Sequence, residues 1–426
     1  MKTARQIYQM LLLAAKAQAK WEYEMSTNIL KDKKRLLILG LMLLPIIFFS
    51  VAFAGDMPKM LGGKEAYNPS YYTLNIFLVS IVIGLLAGLI TGCIGAGGGF
   101  IITPALMSAG VKGILAVGTD LFHIFAKAIM GTIVHKKLGN VCVSLAIAFL
   151  VGSLVGSTGG GLINRALYDI NPVLSDTFIN IIYVVLLGFL GIYSMYDFLN
   201  LRKGGGDVGA HPGESPHGEE TISSRKNLPA ILQGSKIPPL LTFDQDLVPG
   251  GKTIPAVFVV LCGVVTGFLA SIMGVGGGFV TFPMFVYVLG VSSFTTVGTD
   301  ILQIIFTAGY AAITQYAIYG FIFYTLAMGM LLGSLFGIQV GALTTKVVKG
   351  IYIRGFYAIT ILAGFVNRLC ALPAKLREME ILNISKSITD TIDTVGIYIF
   401  FIIVGIFGIW VFKEFFGNIH LLKEEK

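Results

Sequence analysis

The chain has 426 residues, 55% of them hydrophobic and only 13% charged, with a mean hydropathy of +0.81. Soluble domains carry about 25% charged residues, so the composition excludes an ordinary soluble protein and implies a polytopic membrane protein embedded in the lipid bilayer. The net charge of +8 falls mostly between apolar runs, where loops collect Lys and Arg; no basic stripe interleaved with aromatics marks a nucleic-acid partner.

Residues 1–35 read as an amphipathic N-terminal segment. Ile7, Met10, Leu11, Ala14 and Ala15 recur at helical spacing, with Lys2, Arg5, Lys16 and Lys20 supplying a basic face. Residues 36–72 hold an apolar run, Leu36–Ala54, and an external loop. The run ends in Ala52-Phe53-Ala54-Gly55, which fits a signal peptide cleaved after Ala54. The long segment ahead of it favours an uncleaved extra span.

Residues 73–200 form a first transmembrane repeat. Its expected helices are 73–94 and a short 100–111 around a glycine loop, then 114–135, 141–163 and 178–200. His135-Lys136-Lys137 and Arg202-Lys203 place the ends of two of these in the cytoplasm. Residues 201–253, rich in Gly and Pro, read as a cytoplasmic linker and the candidate docking segment for a cytoplasmic partner or a second copy of the chain. Residues 254–412 form a second repeat with helices 254–273, 279–290, 292–316, 320–343 and 351–370 and a last span, 394–412. Residues 413–426 are a cytoplasmic tail.

The repeats show themselves in motif order. Gly95-Ala96-Gly97-Gly98-Gly99-Phe100 returns 179 positions on as Gly274-Val275-Gly276-Gly277-Gly278-Phe279. Gly118-Thr119-Asp120 returns as Gly298-Thr299-Asp300, a shift of 180, and Gly152-Ser153 as Gly333-Ser334, a shift of 181. Paired, glycine-interrupted apolar segments in two halves point to the central site of a secondary transporter. The expected fold class is therefore all-α: a polytopic transmembrane protein with two inverted repeats, each containing a Gly-rich broken or re-entrant helix pair.

The candidate substrate site gathers Gly95, Gly97, Gly98, Gly99 and Thr103 from the first loop and Gly274, Gly276, Gly277, Gly278 and Thr281 from the second. Glycine lets the backbone approach a ligand closely, and the free amides starting each short helix favour an anion. Thr119, Thr299 and Gln303 complete the substrate set. Asp120, His123 and Lys127, at i, i+3 and i+7, share one helix face. The shift of 180 matches them with Asp300, Gln303 and Thr307. Ionisable groups inside a span are functional candidates by default, so Asp120, His123, Lys127 and Asp300 are assigned to proton or ion coupling. Helix capping is the competing reading of the two aspartates. His123 suits a mobile proton because imidazole titrates near neutral pH.

Nothing in the sequence argues for an enzyme, a cofactor or a metal centre. Cys93, Cys142, Cys262 and Cys370 form no C-x-x-C pair, and Cys93 reads as a small packing residue. His211 and His217 lack ligating neighbours, and no phosphate-binding G-x-x-x-x-G-K-[ST] loop occurs. Gly152-Ser153 and Gly333-Ser334 read as small-residue packing stripes.

On Gly88 through Pro104, Gly267 through Pro283 and both Gly-Thr-Asp elements, the chain resembles the sulfite exporter TauE/SafE family. The resemblance covers roughly 75–200 and 254–412. It implies a multi-pass protein of an inner or plasma membrane, exporting sulfite or a related small sulfur-containing anion. An uncoupled anion channel and a non-transporting scaffold subunit for sulfur-metabolism partners are the alternatives. The N-terminal extension and the enlarged linker depart from the family pattern.

Overall fold

The computed structural model describes residues 74–94, 98–138, 141–204, 228–244, 250–344, 348 and 350–418. The N-terminal segment, the run 36–72 with its cleavage question, Gly95 and Gly97 of the first loop, most of the linker's Gly-rich start, and the end of the C-terminal tail lie outside the described residues.

Hydrocarbon offers no hydrogen bonds, so a long uncharged run must satisfy its backbone internally and becomes helix. In chain order the helices are α1 (Leu74–Ile94), α2 (Gly99–Ser108), α3 (Gly113–Leu138), α4 (Val143–Ile170), α5 (Pro172–Gly204) and α6 (Leu228–Gly234). The strands β1 (Leu240–Phe243) and β2 (Lys252–Pro255) follow. Then come α7 (Ala256–Met273), α8 (Gly278–Pro283), α9 (Ser293–Tyr310), α10 (Tyr324–Thr344), α11 (Gly350–Glu378) and α12 (Lys386–Gly417). π-helical turns at Met284–Val288 and Ala311–Ala317 extend α8 and α9. Among the described residues six helices, α4, α5, α7, α10, α11 and α12, are long and apolar enough to cross a membrane. The protein is an all-α polytopic membrane protein carrying one small hairpin. Its α5 starts earlier than the expected 178, because Pro172 suits the first helical position and Asn171 Oδ1 accepts from the Val173 amide at 2.8 Å.

The longest contacts join one half of the sequence to the other. Helix α1 lies along α10, α4 along α7, α5 along α11 and α3 along α9. Glycine makes the first two pairs possible: a Cβ at Gly84 or Gly88 would overlap the backbone of Met330 or Ser334, and one at Gly333 or Gly337 that of Ile81 or Leu85. The α4–α7 pair repeats the pattern, with Gly152 and Gly156 against Val260 and Val264, and Gly263 and Gly267 against Phe149 and Ser153. In these two pairs the contacting residue numbers rise together, so the partners run parallel; in α5–α11 they run opposite, Gly188 meeting Phe365 and Phe198 meeting Gly355, so those partners are antiparallel. Between lipid-bathed helices such close backbone approach supplies the attraction that water would otherwise drive. Neither half is a bundle by itself.

The linker expected over 201–253 is folded at its C-terminal end. Strand β1 pairs antiparallel with β2, Leu240 opposite Pro255 and Phe243 opposite Lys252, so the strand crosses the expected boundary at 253. Phe243 and Ile254 bury against Phe149, Phe285, Leu289 and Val291, which gives the apolar Pro238-Pro239-Leu240-Leu241 stretch its place. Gln233 Nε2 on α6 donates to the Leu289 carbonyl at 2.8 Å. Asp244 accepts from the Ser292 amide (2.9 Å) and hydroxyl (2.7 Å), and Ser292 Oγ caps α9 by accepting from the Thr295 amide. Asp244→Ala is expected to cost about 2 kcal/mol, the worth of a charge-assisted cap, seen as a lower melting temperature of the purified protein.

Candidate functional site

Helix α3 carries its polar stripe into the centre of the fold, where Asp120 and His123 are fully buried and Lys127 nearly so. Asp120 lies in the second turn of α3 and Asp300 in the second turn of α9, beyond the Ser292 cap; neither is a helix cap. Thr103 Oγ1 on α2 donates to Asp120 Oδ2 at 3.1 Å. His123 Nε2 lies 2.9 Å from Ser334 Oγ on α10, and that hydroxyl donates to the Leu331 carbonyl. Assigning the serine proton to that carbonyl makes Nε2 the nitrogen that carries hydrogen and Nδ1 the one with a lone pair. Nδ1 faces Asp120 Oδ1 across 3.6 Å, and neither atom has a hydrogen-bond partner. Two acceptors thus confront each other with room for a single proton between them.

Lys127 points its ammonium to the start of α2. Its Nζ donates to Thr91 Oγ1 at 3.2 Å, and the same oxygen accepts from the Gly98 amide at 2.8 Å. The Thr91 hydroxyl donates in turn to the Ala87 carbonyl, so it ties the ammonium to the start of the ten-residue helix. The positive charge and the helix's opening end meet at one place, where an anion is favoured.

The second half repeats the arrangement without the charge. Gln303 Nε2 donates to Asp300 Oδ1 at 2.8 Å and reaches Thr281 Oγ1 at 3.5 Å. Thr307 donates to Gln303 Oε1 at 2.7 Å and lies 2.7 Å from Ser153 Oγ of α4. Ser153 and Ser334 thus each reach the stripe of the opposite half. They were expected only as packing residues; the glycine beside each does the packing, and the hydroxyl is left for the stripe.

The two loops converge. Val275 backs onto Gly99, Gly274 onto Thr103, and Gly276 onto Ile124 of α3. Phe100 and Phe279, first-turn residues at matching repeat positions, stack with ring centres 4.8 Å apart. Gly274, Gly276 and Gly277 hold φ of +80°, +65° and +96°, a region side chains resist; Gly98 of the first loop does not, at −67°. Thr281 donates to the Gly277 carbonyl at 2.8 Å.

Thr119 and Thr299 stand apart from this centre. Thr119 Oγ1 accepts from the Phe323 amide at 2.9 Å, ahead of α10, and Thr299 Oγ1 from the Cys142 amide at 3.0 Å, ahead of α4. Each threonine caps the opposite half's parallel helix. Cys93 is buried and donates to the Gly341 carbonyl at 3.5 Å, a packing contact. Sequence reasoning missed Thr91, Tyr183 and Arg368; Tyr183 is buried on α5 beside Thr103 and Asp120, its hydroxyl donating to the Met273 carbonyl.

Spanning helices joined by glycine loops around a buried polar centre define a polytopic α-helical membrane transporter. Residues 80–367 match the family model described as Sulfite exporter TauE/SafE. The chain belongs to that family. It is 24% identical to "Probable membrane transporter protein YjnA" of Bacillus subtilis, over 62% of this chain and 87% of that protein. A "Probable membrane transporter protein" of Methanocaldococcus jannaschii is 26% identical over 48% of this chain and 59% of its own length. "Sulfite exporter TauE/SafE family protein 6" of Arabidopsis thaliana is 37% identical over 79 residues, 18% of each chain. No solved structure matches.

Proposed function

We propose that the protein is a secondary transporter exporting sulfite or a related small sulfur-containing anion, with one anion held at the start of α2. The observation that carries this reading is the meeting of Lys127, Thr91 and the Gly98 amide against the second glycine loop. Gly98, Gly99 and Thr103 line one side. Gly274, Gly276, Gly277, Gly278 and Thr281 form the other wall, with Gln303 behind it. The sulfur chemistry comes from the family description, and the anion from the charge.

The two halves are read as inverted repeats. In support, the equivalent helices α5 and α11 run antiparallel, Gly188 and Gly191 meeting Phe365 and Leu362 while Gly355 meets Phe198. Each half then lends a helix to the other, and rocking of one against the other exposes the site to alternate sides.

Coupling falls to the Asp120–His123 gap. One proton placed between Oδ1 and Nδ1 satisfies both atoms, and moving it changes the charge beside Lys127. Asp300 has the neutral Gln303 in the equivalent place and stays bonded to it. The groups around His123 are Asp120 and Lys127 on α3 and Ser334 on α10, with Tyr183 of α5 on the far side beside Asp120.

Radiolabelled sulfite uptake into inside-out proteoliposomes tests the function. Accumulation against a gradient is expected; purely downhill flux identifies a channel, and none identifies a scaffold. His123→Gln, which copies Gln303, is expected to keep sulfite binding and flatten the pH dependence of transport. A pH profile like that of the native protein places the coupled proton elsewhere.

A further inference from the structure

Arg368 lies on α11, in what the sequence suggested was the end of a span, and is 2% exposed. Its guanidinium donates only to neutral oxygens. Nε and Nη2 reach Asn367 Oδ1 at 2.8 and 2.6 Å, Nη1 reaches Asn180 Oδ1 on α5 at 3.2 Å, and Nη2 reaches Ser108 Oγ at the end of α2 at 2.6 Å. Neighbouring basic residues each have a carboxylate. Lys375 Nζ lies 3.5 Å from Asp176, Arg377 Nη2 3.7 Å from Asp390, and Arg354 Nη1 3.7 Å from Asp197. Arg368 has no such pair among the described residues, and Asp393 and Asp176 act on it only at longer range. Arg165, also buried, is served differently: it donates to the Gln315 carbonyl and side chain and lies 4.1 Å from the Tyr319 ring centre.

The cluster also holds unspent donors. Asn180 Nδ2 and Asn367 Nδ2, on side chains 1% and 0% exposed, have no partner. Their oxygens must face the guanidinium, which has no acceptor, so the two nitrogens are fixed as donors. Of the five guanidinium N–H groups, the four bonds above leave one on Nη1 unused. A buried cation without a counterion and buried N–H groups without acceptors are both costly, and one negative ligand with several oxygens answers both.

We propose that Arg368, Asn180 and Asn367 hold a small oxyanion, a second site distinct from that at Lys127. Its place in the fold gives it a role. Helix α2 ends at this cluster with Ser108 and carries Thr103 to the central stripe, while α5 bears Asn180 here and Tyr183 one turn on, beside Thr103 and Asp120. An anion leaving the central site meets Arg368 at the far end of the same short helix. The assignment of sulfite as the ligand rests on the transport reading; the existence of the site does not.

Equilibrium binding of radiolabelled sulfite to the full chain in lipid nanodiscs tests this. Two anions per chain are expected. Arg368→Gln should leave one, and Arg368→Lys should keep two with the second weakened at least tenfold, because an ammonium cannot reproduce the planar fork. Asn180→Asp guards against a folding artefact: it gives Arg368 a built-in carboxylate, should fold as well as the native protein, and should bind one. A native chain that binds a single sulfite, lost on Lys127→Gln, overturns the second site and leaves the transport reading standing. So does an Asn180→Asp variant that still binds two. Two bound anions without accumulation in vesicles has the opposite meaning, keeping this site and ending the transport reading.

Discussion

Gly276→Leu is expected to abolish sulfite accumulation in proteoliposomes, a loss of at least a hundredfold, in a protein that still inserts and purifies as a single species. The residue sits at φ +65°, where a side chain adds about 1–2 kcal/mol of strain. A Cβ there would lie 2.6 Å from Ile124 Cγ2, so Leu pushes the second loop away from α3 at the level of the polar stripe. Gly276→Ala carries the same strain and the same Cβ contact with Ile124 but lacks the rest of the leucine side chain; it should transport slowly where Leu fails. A folded Gly276→Leu protein that accumulates sulfite normally removes the second loop from the site.

The glycine loops, the α3 stripe and the all-helical fold were legible because each is written twice at a shift of 179 to 181. Repetition marked the loop glycines as candidates, although Gly152 and Gly333, which pack one helix against another, are repeated as well. The same reliance on repetition hid Thr91, whose repeat position holds Ala270, although Thr91 is the residue that ties Lys127 to the start of α2. Ser153 and Ser334 are repeated, but each stands next to a glycine in a small-residue stripe. Hydropathy cannot tell a serine that fills a groove from one that crosses it to meet His123 or Thr307. Thr119 and Thr299 show the reverse: paired and adjacent to aspartates, they suggested ligand contact, and their hydroxyls instead close the open amides ahead of α10 and α4. Arg368 falls at the end of the span expected over 351–370. Helix α11 continues to Glu378 through Pro373, and the arginine turns inward onto Asn180 and Ser108, partners 188 and 260 positions away. The folded end of the linker was hidden because β1 and β2 are four residues each, too short for an alternating pattern to register.

Lys127→Gln is expected to weaken sulfite binding at the central site by about 30- to 1,000-fold, the equivalent of about 2–4 kcal/mol for removing one side of a buried charge pair. The size follows from the asymmetry between the halves. At the position matching Lys127 the second half has Thr307, whose hydroxyl is committed to Gln303 and Ser153. At the position matching Thr91 it has Ala270. Nothing there can take over a missing ammonium. Glutamine keeps a donor for Thr91, so the start of α2 should hold its place and the loss should report on charge. Asp120 is the other party: Lys127 is the cation that offsets it, and the single substitution leaves that carboxylate buried without one. Pairing Lys127→Gln with Asp120→Asn removes both charges together. The double variant should recover any stability lost by the single one, and should remain as poor at binding sulfite. Recovery of binding along with stability would make Lys127 a counterion to Asp120 and nothing more. A Lys127→Gln protein that binds and accumulates sulfite as the native chain does would move the anion away from α2 altogether, leaving Arg368 as the buried cation best placed to receive it.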